Sequence, residues 1–373
     1  MKGRVILWGT YDLGKPRTRI LRDALRRAGF GLDEIHASIW EGVADKSQLS
    51  LLGWAGRALR WLAAYPWLIW RYLRAPAHDV VLVPYMGHLD VMILWPFAKL
   101  RGAPIVWDAF LSLHDTVVSD RQMVGRRNPL AWLVYGWEWL ASRAASRVVL
   151  DTDAHAALFQ ELYGISAERT ASVFVGAENE QFALPPATSR GPDQPLQVLF
   201  YGQFIPLHGV ETIVEAAALA RDLPIAWHLV GEGQDAAKIR ARLAIEALPK
   251  LRWTQWVAYE DLTKEIANAD ICLGIFGTSG KAARVIPNKV FQVLAAGKPL
   301  ITRDSPAIRE LVDDGDAGVT LVPPGDPAAL VNALQAMANS REAPQIAAKF
   351  SADELARGWA EVVESAQLGG EST

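Results

Sequence analysis

A chain of 373 residues is longer than one compact hydrophobic core usually serves and fits two domains of ordinary size. Its 51% hydrophobic and 21% charged residues, with a net charge of −3, exclude a disordered chain and argue against nucleic acid as a partner. Residues 1–183 carry 21 Lys+Arg against 18 Asp+Glu and 11 of the 15 tryptophans, so an acidic partner is expected to meet the first half.

The opening run "MKGRVILWGTYD" reads as a first strand at 4–8 and not as a signal peptide. Gly9, Thr10 and Tyr11 follow that strand directly. "PRTRILRDALRRAG" then has helical spacing, with Arg17 and Arg19 at its start as candidate contacts for phosphate or an anionic acceptor. At 51–76, Arg57, Arg60, Arg71 and Arg74 share one side of a helical wheel. Trp54, Trp61, Trp67 and Trp70 flank them, while Leu59, Leu62, Ile69 and Leu73 point elsewhere. Two readings stay open: an interfacial helix at an anionic membrane surface, or an amphipathic helix packed on a sheet with its arginines in water. The densest apolar stretch, "WLAAYPWLIW", contains Pro66 and is too short to span a bilayer.

Further strands are expected at 80–84, 104–108, 147–150 and 172–175, with helical patterns in "HLDVMILWPFAKLRG" and "TDAHAALFQELYG" between them. His88 lies just beyond the second strand and Asp108 ends the third, which makes both candidate catalytic groups. The Pro-, Ser- and Gly-rich stretch 182–195 reads as a linker. Alternation then restarts with "LQVLFYG", "IAWHLVGEG", "ADICLGIFG", "KPLITRD" and "AGVTLVPPG". A helix, "PNKVFQVLAAG", is punctuated by Pro287 and Gly297.

The pattern predicts an α/β chain of two doubly wound, Rossmann-like parallel-sheet domains, 1–183 and 184–352, with a C-terminal helix and tail at 353–373 that packs back on the first. Ligands of such sheets bind at the carboxyl ends of the strands, so the site is expected in post-strand loops of both halves. Lone Cys272 in "DICLGIF" reads as a core residue in a reducing compartment, with no disulfide or thiolate-metal chemistry.

Five segments in register carry a resemblance: "FYGQFIPLHGVETIVEAA", "WHLVGEGQD", "WTQWVAYEDLTKEIANADICLGIFG", "RVIPNKVFQVLAAGKPLITRD" and "AIRELVDDGDAGVTLVPPGDPAALVNAL". With "GTYDLGKPRTRILRDALRRAG", "VWDAFLSLHDTVVSDR" and "LDTDAHAALF" in the first half, the chain resembles the retaining glycosyltransferases of the GT-B fold, family 4, also called group 1. The resemblance implies transfer of a sugar from a nucleotide-diphosphate donor to a saccharide or lipid-linked acceptor of the cell envelope, with 1–183 as the acceptor domain and 184–352 as the donor domain. It also implies no metal, no separate cofactor, and front-face displacement in which the donor phosphate accepts the acceptor's proton. A cytoplasmic location, peripheral on the inner face of the membrane, goes with that reading.

The residues support it by their own chemistry, because a diphosphate leaving group needs cations and bare backbone around it. "GTSGKAARVIPNKV" offers Thr278, Ser279, Gly280, Lys281, Arg284, Asn288 and Lys289 as a cradle. Gly202, Gln203, His208 and Gly209 form a strand-to-helix handover, and Gly231 and Gly233 let backbone approach a ligand. Trp256 and Val257 stand where the resemblance places the nucleobase. Arg284 and Gln292 stand where many members carry glutamates for the donor sugar and ribose, and Gln203 and His208 where a cation pair is common. "DAF" at 108–110 replaces a frequent histidine. Two alternatives remain: a nucleotide-sugar 2-epimerase of the same architecture, or a non-catalytic binding protein.

Overall fold

The computed structural model describes residues 2–39, 51–182, 191, 194–338 and 342–370, apart from the side chains of 51–59, 179, 180 and 370. Most of the linker reading and the side chains of Trp54, Arg57 and Leu59 therefore lie outside the described residues. The chain divides into two compact units: Met1–His114 with Arg126–Phe174 and Ala352–Thr373, and Asp115–Gly125 with Val175–Ser351.

The first unit runs β1 (Arg4–Gly9), α1 (Pro16–Arg27), β2 (Gly31–His36), α2 (Leu51–Leu73), β3 (Val80–Val83), α3 (His88–Leu100), β4 (Ile105–Phe110), α4 (Pro129–Ala144), β5 (Arg147–Leu150), α5 (Asp153–Tyr163) and β6 (Thr170–Ser172). Its sheet has the order β2-β1-β3-β4-β5-β6, and every pairing is parallel. Alternation along β1 makes the two layers. Ile6 and Trp8 join a core with α2, α3, α4 and α5, whereas Val5 and Leu7 join one with α1 and the C-terminal helix Ala352–Gly370. Trp359 of that last helix is 1% exposed.

The second unit adds a π-helical turn, Asp115–Asp120, to α6 (Asn179–Phe182), β7 (Leu196–Tyr201), α7 (Val210–Leu219), β8 (Ile225–Val230), α8 (Ala236–Ile245), β9 (Leu251–Thr254), α9 (Leu262–Asn268) and β10 (Ile271–Leu273). It continues with α10 (Gly280–Arg284), α11 (Asn288–Ala295), β11 (Leu300–Arg303), α12 (Pro306–Arg309), β12 (Val319–Val322) and α13 (Pro327–Met337), and the C-terminal helix is α14. The parallel sheet has the order β12-β11-β10-β7-β8-β9. Strand order reverses between β7 and β10, which places a ligand crevice beyond their carboxyl ends.

Three expectations need correction. Strands β2 ("GLDEIH") and β9 ("LRWT") were not expected, because each is a sheet edge with one neighbour and lacks the apolar run of a doubly covered strand. β6 lies at Thr170–Ser172 instead of 172–175, since the chain changes unit between Phe174 and Val175. The same crossing moves the unit boundary ahead of 183, and 115–125, inside the expected first domain, belongs to the second unit.

Candidate functional site

At the switch point of the second sheet, the loop after β7 runs from Gly202 to Gly209 and the loop after β10 leads to Ser279. The two are tied by Phe276 N–H donating to His208 O at 3.0 Å. Gly202 has φ +139, and a Cβ there would stand 2.8 Å from Lys289 Nζ and 3.1 Å from His208 Cε1. The bare backbone thus leaves room beside two basic side chains.

Lys289 begins the second position of α11 and is 5% exposed. Among the described residues its buried Nζ has no hydrogen-bond partner, and it sits 3.7 Å from the Phe200 ring centroid. Burial holds its pKa well below the ordinary lysine value. His208 is also buried, and its Nδ1–H donates to Gln203 O. Burial first, and then the charge of Lys289, hold its imidazole well below the usual range. The N-cap of α11, Pro287, offers no side-chain acceptor, so the first N–H groups near Asn288 receive no side-chain cap.

The rest of the cradle is closed by the turn Asp115–Asp120. Arg284 Nη2 donates to Asp115 Oδ2 at 3.0 Å, Lys281 Nζ to Thr116 Oγ1 at 2.7 Å, and Ser279 Oγ to Asp120 Oδ1 at 2.8 Å. Ser279 also caps α10 by accepting from Ala282 N–H at 3.2 Å. Burial pushes the Asp120 carboxyl up. Arg121 Nη2 reaches Gln203 Oε1 at 3.3 Å, and Gln234 Nε2 donates to Arg121 O at 3.1 Å. Lys281 and Lys289 are therefore held inside the fold.

Gln292 is committed at both ends of its amide. Its Oε1 accepts from Tyr201 Oη at 3.0 Å and its Nε2 donates to Tyr259 Oη at 3.2 Å, while Tyr259 donates to Glu178 Oε2 at 2.8 Å. Gly231 and Gly233 serve packing: a Cβ at Gly231 would stand 1.9 Å from Gly202 O, and one at Gly233 2.6 Å from Phe204 O. Trp256 is 76% exposed and so is not a core residue, Val257 is half-buried beside it, and Thr278 and Gly280 are exposed. Sequence reasoning missed Asp115, Thr116, Asp120, Arg121 and Gln234. "DTVVSDR" carried the signal, in two carboxylates and an arginine, but nothing local says which loop they reach.

In the first unit the predicted residues bind one another. Gly9 faces Asp90, whose Oδ2 accepts from Thr10 N–H at 2.9 Å and whose Oδ1 accepts from Tyr65 Oη at 2.7 Å. Tyr11 Oη donates to Glu34 Oε2 at 2.9 Å, and its ring stacks on His36. Arg17, 2% exposed, bonds both Asp108 oxygens and donates to Val173 O at 2.6 Å, between the Phe110 and Trp359 rings. Asp108 is fully buried by this pair. The carboxylate and guanidinium expected to meet substrate thus stabilise each other within the fold. Arg19 is half-buried and donates to Leu13 O at 3.2 Å.

His88 is buried too, and its Nε2 lies 3.2 Å from Glu138 Oε1. Glu138 further accepts from Ser112 Oγ, Leu113 N–H, His114 N–H and Tyr163 Oη. Burial alone would raise its carboxyl, yet these donors, His88 first, bring it down to about 2. Glu138 therefore fixes the loop after β4. Phe110 there has φ +63, an uncommon backbone for a non-glycine residue, next to a register shift between Asp108 and Phe110. Among the described residues no group of three or more His, Cys, Asp or Glu could hold a metal ion.

Residues 195–340, which contain the whole cradle except the Asp115–Arg121 segment, match the family model described as glycosyl transferases group 1. A putative colanic acid biosynthesis glycosyl transferase, WcaI of Escherichia coli (strain K12), is 27% identical over 106 residues, 28% of this chain. That match spans about a quarter of the relative's length. Among solved structures, Anabaena Alr3699/HepE in complex with UDP aligns with a TM-score of 0.67 at 14% identity, covering 97% of this chain and 99% of that one. The sucrose-phosphate synthase of Thermosynechococcus elongatus gives 0.64 at 18% identity, over 97% and 94%. The lipopolysaccharide outer core galactosyltransferase WaaB, in its apo form, gives 0.64 at 15%, over 97% and 99%. The two six-stranded parallel sheets are those of the GT-B fold.

Proposed function

We propose that the protein is a GT-B glycosyltransferase of the retaining, metal-independent family 4 type, which moves a hexosyl group from a nucleotide-diphosphate sugar to a saccharide or lipid-linked acceptor in cell-envelope polysaccharide synthesis. The observation that carries the reading is Lys289: an amino group buried without a hydrogen-bond partner among the described residues, beside His208 and the bare backbone of Gly202, where a diphosphate would satisfy its protonated form. Support comes from the group 1 match over the same loops and from the UDP and UDP-glucose complexes of Anabaena HepE. In the reaction the acceptor oxygen bonds to the anomeric carbon as the bond from that carbon to the diphosphate oxygen breaks, and the acceptor's proton passes to the departing phosphate. Lys289 and the α11 N-terminus stabilise the charge that grows on the leaving group. Separate cofactors play no part, and a cytoplasmic site of action suits the buried lone thiol of Cys272.

Thermal shift against UDP, GDP and their sugars, followed by transfer assays with NMR of the product anomer, tests this. A nucleoside diphosphate should raise the melting temperature, and its sugar should be transferred with retention. Epimerised donor without transfer would make the protein a 2-epimerase, and binding without turnover a non-catalytic one.

A further inference from the structure

Helices α2, α3 and α4 pack on one face of the first sheet, and their inward side chains, such as Leu68, Leu94 and Ala141, share the core of Ile6 and Trp8. Their outward side chains are unusual for a water-facing surface. Trp67, Trp70, Trp95, Trp132 and Trp139 are 44, 49, 46, 67 and 36% exposed, and they are five of the six tryptophans exposed among the described residues. Leu100 of α3 and Leu133 of α4 are 77 and 66% exposed. Exposed indole rings gathered on the outer side of three neighbouring helices mark an interaction site.

The charges say what kind. Four of the tryptophans carry a cation on the ring face: Arg71 on Trp67 at 5.2 Å, Arg74 on Trp70 at 4.4 Å, Lys99 on Trp95 at 5.6 Å and Arg143 on Trp139 at 3.7 Å. The carboxylates of the three helices, Asp90 and Glu138, are both buried and point into the fold. At the margin by Trp70, Arg71 and Arg74, Asp33 and Glu34 line a shared cavity, but Asp33 lies 3.6 Å from Arg4 and Glu34 2.7 Å from Arg22. The face is thus aromatic, aliphatic and cationic with no exposed carboxylate on its helices. Indole rings settle at the headgroup level, arginine and lysine stems reach past them to phosphate, and each cation gains attraction at an anionic leaflet.

We propose that the outer face of α2, α3 and α4 is a docking surface for an anionic lipid bilayer, three helices wide. It stands on observations separate from the donor site. Co-sedimentation of the full chain with phosphatidylcholine vesicles, with and without phosphatidylglycerol, tests it at low ionic strength. The chain should pellet with the anionic vesicles only and be released by salt. Arg71→Gln with Arg143→Gln should weaken partitioning about thirtyfold, and Trp95→Ser with Trp132→Ser by tenfold or more; all four side chains are exposed, so circular-dichroism melting should match the parent. Brominated acyl chains should quench the parent's tryptophan fluorescence and quench the tryptophan variant less. A parent chain that stays in the supernatant, or variants that bind as the parent does, would overturn the proposal. Self-association in sedimentation velocity that Trp95→Ser with Trp132→Ser abolishes, without vesicle binding, would assign the face to a second copy instead.

Discussion

Lys289 and Asp108 show how burial separates a functional charge from a structural one. Asp108 has its counter-ion in Arg17, whereas Lys289 lies against aromatic rings and has no counter-ion among the described residues. Removing one partner of a buried pair costs about 3–5 kcal/mol, so Asp108→Ala should lower the melting temperature sharply, before any effect on turnover can be read. Lys289→Met should do the reverse in the ligand-free protein, gaining about 1–3 kcal/mol by removing an unsatisfied buried group, while lowering nucleoside-diphosphate affinity tenfold or more. The sign with pH follows from linkage. A lysine whose folded pKa is depressed holds fewer protons folded than unfolded, so its cost grows as pH falls below the unfolded value and towards the folded one. The stability difference between Lys289→Met and the parent should therefore widen as pH is lowered across that window. Diphosphate binding should take up a proton and weaken as pH rises through the depressed pKa, measurable by calorimetry in buffers of different ionisation enthalpy. Cys272, wholly buried with its thiol pushed up to about 12, should react with maleimide only after unfolding.

Among elements, the turn Asp115–Asp120 brings two carboxylates into the cradle, Asp115 against Arg284 and Asp120 against the Ser279 hydroxyl. A diphosphate entering there meets their repulsion, so Asp115→Asn with Asp120→Asn should tighten nucleoside-diphosphate binding several-fold, read by titration calorimetry. Unchanged affinity would mean that the turn moves away on binding. This turn also marks the limit of what the sequence discloses. β7, β10 and α11 announce themselves by apolar runs, Pro287 and Gly297, and the loops after them hold most of the cradle. A segment that leaves its own sheet to join another has no local signature, so Asp115 and Arg121 were invisible as site residues. Arg17 failed for a different reason: position at a helix start after β1 is readable, but whether an arginine faces water or a buried Asp108 depends on residues 91 positions apart.

For the whole molecule, the likeness to Anabaena HepE over 97% of the chain at 14% identity shows that the architecture persists where few side chains do. What persists is the pattern of strands buried on both faces, which many sequences satisfy. Among the described residues no helix is long and apolar enough to cross a membrane. The first unit is assembled from three stretches of sequence, the last of them α14, whose Trp359 covers Arg17. Cutting the chain after Ser351 should expose that core and destabilise the first unit by several kcal/mol, Trp359 alone accounting for about 3. Calorimetry should then show the second unit melting near its usual temperature while the first has lost its transition.

α14 also sets an order on synthesis. As the ribosome releases the chain from its N-terminus, residues 115–125 and 175–351 have all emerged before the helix that completes the first unit exists. The downstream unit can therefore finish folding first, and the upstream sheet waits with the groove around Arg17 open, a window in which chaperones can bind and proteases can cut.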